Sequence, residues 1–319
     1  MTNPVLQSHE PWTRMVIAIS GSSGLIGSSL TRSLRAQGHE VRPIVRRSQR
    51  LPGDISWNPD TNSLDAAQLS GIDAVIHLAG ESISQRWSTD VKRRIRASRV
   101  DGTRLLAEAI ASLSVKPGVL LSASAIGIYG DRGDETLDEG SAAGADFLAS
   151  ICTEWEAAAA PAATAGVRVA ALRTGVVLSR SGGALSTLLT PFRLGAGGRL
   201  GTGKQWMSWI GLTDYIAAVE FLLRAPALFG PVNLVAPNPV TNAEFTRVLA
   251  GVLGRPALFA VPGFAMRFVM GEMADETILA SQRVRPRKLL ENGFHFGQPT
   301  LESALRTELA TRSAHSGDH

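Results

Sequence analysis

Cysteine is almost absent from this 319-residue chain. The single Cys152 excludes an intrachain disulfide and a cysteine cluster for zinc, as suits a reducing compartment, and reads as a buried small hydrophobe. No apolar run approaches the roughly 18 residues a membrane helix needs, and residues 1–13 lack the apolar core of a signal peptide. A cytoplasmic location without a membrane partner is the expectation. Aromatic residues make up only 6% and do not interleave with the arginines, so single-stranded nucleic acid would find few stacking platforms. Tyrosine occurs twice, at Tyr129 and Tyr215.

What is present is ordinary globular material, 44% hydrophobic and 19% charged, enough for one large domain or two modest ones. The net charge of +4 is modest, but the basic residues are bunched. Arg42, Arg46, Arg47 and Arg50 form one group, Lys92, Arg93, Arg94, Arg96 and Arg99 a second, and Arg283, Arg285, Arg287 and Lys288 a third. These read first as solvated faces or as phosphate anchors for a small ligand. No nucleic-acid partner is expected, and binding through the arginines is kept as a minor alternative.

The most informative stretch is 15–34. An apolar run at 15–19 suits a buried parallel strand, and Ile26, Leu30 and Leu34 recur at helical spacing. Between them lies Gly21-Ser22-Ser23-Gly24-Leu25-Ile26-Gly27. The first amides of a helix lack intrahelical partners and carry the positive end of its dipole, so a pyrophosphate can sit there. Gly21 allows the tight turn, Gly24 removes a Cβ from the path of the phosphates, and Gly27 lets helix and strand pack closely. The spacing G-x-x-G-x-x-G differs from the common G-x-G-x-x-G fingerprint.

Residues 40–45 read as a second strand although Pro43 lies inside it. Directly after it, where an acidic residue would take the ribose hydroxyls of NAD, stand Arg46 and Arg47. Guanidinium forks pair with phosphate oxygens, so NADP(H) is favoured; surface arginines without a ligand are the bland alternative. Further strands are expected at 54–57, 72–80, 119–122, 167–172 and 232–235, and helices at 89–113, 142–165, 213–225 and 242–253. His77, inside a strand, reads as a satisfied core histidine. The alternation is that of an α/β doubly wound parallel sheet. Residues 179–204 are rich in glycine and serine and read as a loop closing over a substrate. One of Trp206 and Trp209 should be core.

Gly21 to Gly27, Leu78-Ala-Gly-Glu-Ser-Ile83, Ser124-Ala-Ile-Gly-Ile-Tyr-Gly130, Asp146-Phe-Leu-Ala149 with Trp155-Glu156, and Leu172-Arg-Thr-Gly-Val-Val-Leu178 carry a further signal. Through them the chain resembles the extended short-chain dehydrogenase/reductases, the nucleotide-sugar epimerases and dehydratases. It is most similar to their atypical "epimerase family protein" subgroup. The resemblance implies a Rossmann-type sheet with a smaller, mostly helical C-terminal lobe. The sheet domain is expected over 15–178 and 205–240, the substrate lobe over 179–204 and 241–319, and a loose tail over 1–14. By the same likeness NADP(H) would touch Gly21 to Gly27, Arg46, Leu78, Ala79, Gly80, Arg99 and the segment from Arg173 to Val177.

Active members pair a serine or threonine with Tyr-x-x-x-Lys on the following helix, where the lysine lowers the tyrosine's pKa for proton exchange. That pair is missing. Aligning Trp155-Glu156 puts Leu148 and Cys152, or Phe147 and Ile151, where tyrosine and lysine belong. Ser124 matches the family's serine, and Tyr129 stands as a candidate substitute acid. Two functions remain open: an NADP(H)-dependent reductase or epimerase-like protein acting on a small polar metabolite, nucleotide-sugar-like ones included, or a non-catalytic NADPH-binding redox sensor.

Overall fold

The computed structural model describes residues 13–46 and 51–310; Arg47 and Arg50 lie outside the described residues. The glycine turn joins β1 (Val16–Ser20) to α1 (Leu25–Ala36), and β2 (Glu40–Val45), β3 (Ile55–Asn58) and β4 (Ser63–Leu64) follow. The chain then returns through β5 (Ala74–His77), the long α2 (Thr89–Ser112) and β6 (Val119–Ala125). After β7 (Thr136–Leu137) come α3 (Phe147–Ala157), α4 (Ala160–Thr164), β8 (Arg168–Thr174) and β9 (Val176–Leu178).

The remainder holds α5 (Gly183–Arg193), β10 (Gly198–Leu200), β11 (Trp206–Met207), β12 (Trp209–Gly211) and α6 (Leu212–Arg224). It continues through β13 (Gly230–Leu234), β14 (Val240–Thr241), α7 (Asn242–Leu253), β15 (Phe259–Val261) and α8 (Gly263–Met270). One π-helical turn (Ala274–Ile278), β16 (Arg283–Val284), α9 (Arg287–Glu291) and α10 (Leu301–Ala310) complete it.

The central sheet runs β13-β8-β6-β5-β1-β2-β3-β4, parallel except at the β3–β4 edge. It is the doubly wound Rossmann-type sheet expected, and its order reverses between β1 and β5, the place where such sheets open a ligand crevice. Pro43 is tolerated in β2 for a local reason. Glu40 N–H points to β1, so by strand alternation position 43 faces β3, and β3 pairs with β2 only from Ile44 onward. The missing N–H falls where no ladder bond is due.

Leu30 and Leu34 of α1 and Leu222 of α6 pack on one face against Ile17, Ile19 and Ile76, and Leu106 and Ile110 of α2 pack on the other against Ala18 and Val75. Each fully buried Leu or Ile contributes about 1.5–3 kcal/mol. A third cluster, built from Leu185, Leu189, Phe192, Trp209, Phe245 and Leu305, draws α5, β12, α7 and α10 together.

Two expectations are corrected. The helix read over 142–165 is two helices: Asp146 caps α3 through Ala149 N, and Pro161, which has no N–H to donate, opens α4. The glycine-rich stretch 179–204 is not a plain loop, because Leu185, Leu189 and Phe192 give α5 a buried stripe. Of the two tryptophans, Trp209 is the fully buried one.

His77 is fully buried, with Nδ1 2.6 Å from Ser20 Oγ. Ser20 Oγ accepts the amides of Leu78 and Ala79, so its proton goes to Nδ1 and the ring stays neutral. Burial pushes the His77 pKa down from 6.5 to about 4. The unfolded chain therefore protonates this residue first as pH falls. Its contribution is complete above pH 6.5 and is lost between pH 6.5 and about 4, amounting to about 3 kcal/mol. Urea unfolding of the wild type and His77→Asn at pH 7 and pH 4.5 should show the wild type losing more stability; parallel losses would refute this.

Candidate cofactor cleft

The turn after β1 is built for close approach. Gly21 has φ +69°, and a Cβ there would lie 2.9 Å from the Leu78 carbonyl carbon. A Cβ on Gly27 would lie 2.1 Å from Gly21 O. No side chain caps α1, whose N-cap is Gly24, and its first turn carries no acid. The unpartnered amides of that turn open on a cleft of about 470 Å³ at the carboxyl ends of the sheet. A pyrophosphate fits there, because protein atoms neither fill the cradle nor repel an anion from it.

Gly21, Gly24, Leu25, Ile26, Gly27, Leu78, Arg99 and Ser124 all line this cleft. Ser22 and Ser23 belong to the same turn, and Arg46 is exposed directly after β2. The amides of Leu78 and Ala79 are taken by Ser20 Oγ; Leu78 lines the cleft, while Ala79 packs against the core on the α2 face. Gly80 is exposed, and a Cβ there would sit 3.4 Å from the Arg99 guanidinium carbon. The Arg99 guanidinium lies 5.1 Å from the Trp155 ring centre and donates to Ile95 O, and burial pulls its pKa down.

Ser124 Oγ donates to Glu156 Oε1 at 2.7 Å. Glu156 is gripped by Arg173 through Nε at 2.8 Å and Nη2 at 2.9 Å. With its proton engaged by a carboxylate, Ser124 turns lone pairs toward the cleft and acts there as an acceptor.

Tyr129 and Arg173 depart from their expected roles. Tyr129 is fully buried beneath Leu137 and Val284, its hydroxyl donating to Asn233 Oδ1 at 2.8 Å and accepting from Arg173 Nη1 at 3.0 Å. It does not line the cleft, and burial pushes its pKa up, so it is no substitute acid there. The Arg173 side chain points into this buried network, and its neighbours Thr174, Gly175 and Val176 line the cleft instead. Val177 packs against the main core.

A family profile described as "NAD dependent epimerase/dehydratase family" matches residues 17–234. The chain belongs to that family. A second profile, a domain of unknown function, matches residues 261–308. Epimerase family protein Mb2239 of Mycobacterium bovis is 46% identical over 291 residues, covering 91% of this chain and 96% of the relative. Human epimerase family protein SDR39U1 is 36% identical over 300 residues, covering 93% and 100%. A crystal structure of human SDR39U1 (isoform 2) with NADPH superposes with a TM-score of 0.86 at 35% identity, over 93% of this chain and 100% of that one. MoeE5 in complex with UDP-glucose and NAD shares the fold, with a TM-score of 0.74 at 23% identity over 92% of this chain and 97% of that one.

In this epimerase-family chain Leu148, Ile151 and Cys152 of α3 floor the cleft. Burial pushes the Cys152 thiol up to about 12, so it stays protonated and unreactive at neutral pH. Tyr215 lines the cleft base, its hydroxyl 3.3 Å from Thr174 Oγ1, with burial pushing its pKa up to about 12.

Three residues absent from the sequence reading complete the wall from the C-terminal side: Glu276, Thr277 and Gln282. Glu276 accepts the amides of Phe147, at 3.4 Å, and Leu148, at 2.8 Å, and burial pushes its pKa up. The π turn carrying Glu276 and Thr277 has no sequence period of its own, and the motif-poor stretch 271–282 held no signal that would have found them.

Proposed function

We propose that the cleft binds NADP(H) and that the protein is a reductase or epimerase-like member of its family acting on a small polar metabolite. The observation carrying the cofactor assignment is the uncapped first turn of α1, open to the cleft, with Gly21 and Gly27 placed where a Cβ would strike backbone. The NADPH bound by the human relative supports it, as does arginine in place of a carboxylate after β2. In this reading Gly21 to Gly27 hold the pyrophosphate, Arg46 and Arg47 the 2′-phosphate, and Leu78, Ala79, Gly80 and Arg99 the remaining polar and apolar edges.

A bound nicotinamide supplies hydride chemistry. Ser124 receives a hydroxyl of the substrate as an acceptor, and Arg99 steadies negative charge without surrendering a proton, as guanidinium does. The proton then comes from the substrate or from solvent. Leu148 and Cys152, where a tyrosine and a lysine would serve, favour the second reading: a redox sensor that holds NADPH and turns nothing over.

Titration with NADPH and NADH tests the cofactor assignment. The wild type should prefer NADPH, and Arg46→Ala should lower that preference about tenfold or more, the worth of a charge-assisted phosphate contact. Equal affinity of the wild type for both would overturn it. Nicotinamide absorbance with a carbonyl and sugar-nucleotide library, backed by product analysis for hydride recycling, separates enzyme from sensor.

A further inference from the structure

Between residues 258 and 269 six large apolar side chains stand in solvent, including Leu258 at 88% exposure, Phe268 at 83% and Phe264 at 73%. They form a strip: Phe259 and Val261 lie on β15, and α8 begins two residues later with Phe264 and Phe268 one turn apart. The two segments that bear and flank the strip are basic, with Glu272 and Asp275 following α8, where they pair with Lys92 and Arg267. Segments 191–204 and 254–271 carry Arg193, Arg199, Lys204, Arg255 and Arg267 and no Asp or Glu. Arg267 pairs with Asp275, while Arg193, Arg199 and Arg255 have no ion pair among the described residues. Beside the strip, a groove of about 420 Å³ sets Arg199 and Arg247, the latter 4.0 Å from Glu244, against the apolar walls of Leu258 and Phe259.

We propose that this face docks on an anionic lipid bilayer. Phe264, Phe268 and Val269 enter the boundary between headgroups and acyl chains, and the groove of Arg199 and Arg247 takes a lipid phosphate. An apolar helix face with a cationic rim is the composition of an interfacial helix. Arginines beside an anionic leaflet are drawn to its surface potential. A second copy of the chain fits less well, because a two-fold contact sets the cationic rim against its own duplicate. The expectation of no membrane partner rested on the lack of a spanning run. Among the described residues no helix is long and apolar enough to cross a membrane, and adsorption requires none.

The test is flotation of the full-length protein with vesicles of phosphatidylcholine alone or with added phosphatidylglycerol. Binding is expected only with phosphatidylglycerol and should weaken as salt rises. Phe264→Ser with Phe268→Ser should cut vesicle affinity about tenfold or more, and Arg199→Gln with Arg247→Gln should cut it too. Both pairs should keep the wild-type thermal midpoint and NADPH titration, so a loss is not misfolding. Failure of wild type to float, or equal flotation on both vesicle types, overturns the proposal. So does a dimer seen by light scattering that the phenylalanine pair abolishes, which assigns the face to a second copy.

Discussion

Gly27→Ala is expected to lower the thermal midpoint and to weaken NADPH binding at least about tenfold, a cost of about 1.4 kcal/mol or more. The added Cβ meets Gly21 O at 2.1 Å and Ser22 Cα at 2.9 Å. Both are backbone atoms, so no rotamer change relieves the clash. Either α1 moves off β1 or the turn changes shape, and overpacking of this kind costs about 1–3 kcal/mol in stability. The affinity loss follows because the displaced atoms are the amides proposed to meet the phosphates. Gly118→Ala is the control: its Cβ would find only Asp73 O, at 3.8 Å, and it should melt and bind like the wild type. Unchanged NADPH affinity in Gly27→Ala would remove the turn from the cofactor site.

The second large effect is on stability. Arg173→Met is expected to reduce the unfolding free energy by about 3 kcal/mol, because it leaves the largely buried Glu156 carboxylate without its cation. Glu156 would lose both guanidinium bonds and keep only the Ser124 hydroxyl, and Tyr129 would lose its donor. A buried pair is costly to break yet often inexpensive to replace outright. Arg173→Met with Glu156→Leu should therefore be more stable than Arg173→Met alone. Denaturant curves of the two variants and the wild type give the order directly, and a double variant less stable than the single one would contradict this account of the network.

Much of the fold was legible because its signals are local. The apolar run of β1, the three glycines and the period of α1 lie within twenty residues, and each implies the next. Pro43 read as a fault in β2 because its harmlessness depends on where β3 begins pairing, which is not written in β2. The stripe of α5 was present in Leu185, Leu189 and Phe192, but the seven glycines and three serines of 179–204 weighed more heavily than the stripe did.

The site divided in the same way. Trp155-Glu156 offered Leu148 with Cys152, or Phe147 with Ile151, for the missing pair, and the cleft takes Leu148, Ile151 and Cys152, one or two turns away on the same helix. Tyr129 could not be placed, because its burial depends on Asn233 and Arg173, 104 and 44 residues along the chain. Glu276 reaches the first turn of α3 from 129 residues away, a contact that only the closed fold creates.

That last contact gives the cleft a polarity. Two helices, α1 and α3, direct their positive ends toward the same space, but a protein carboxylate already occupies the end of α3 while that of α1 stands open. The two helix ends are therefore not equivalent as anion sites, and Arg99 is the remaining cationic group of the lining. An anionic group entering the cleft finds open amides at α1 and a carboxylate already seated at α3.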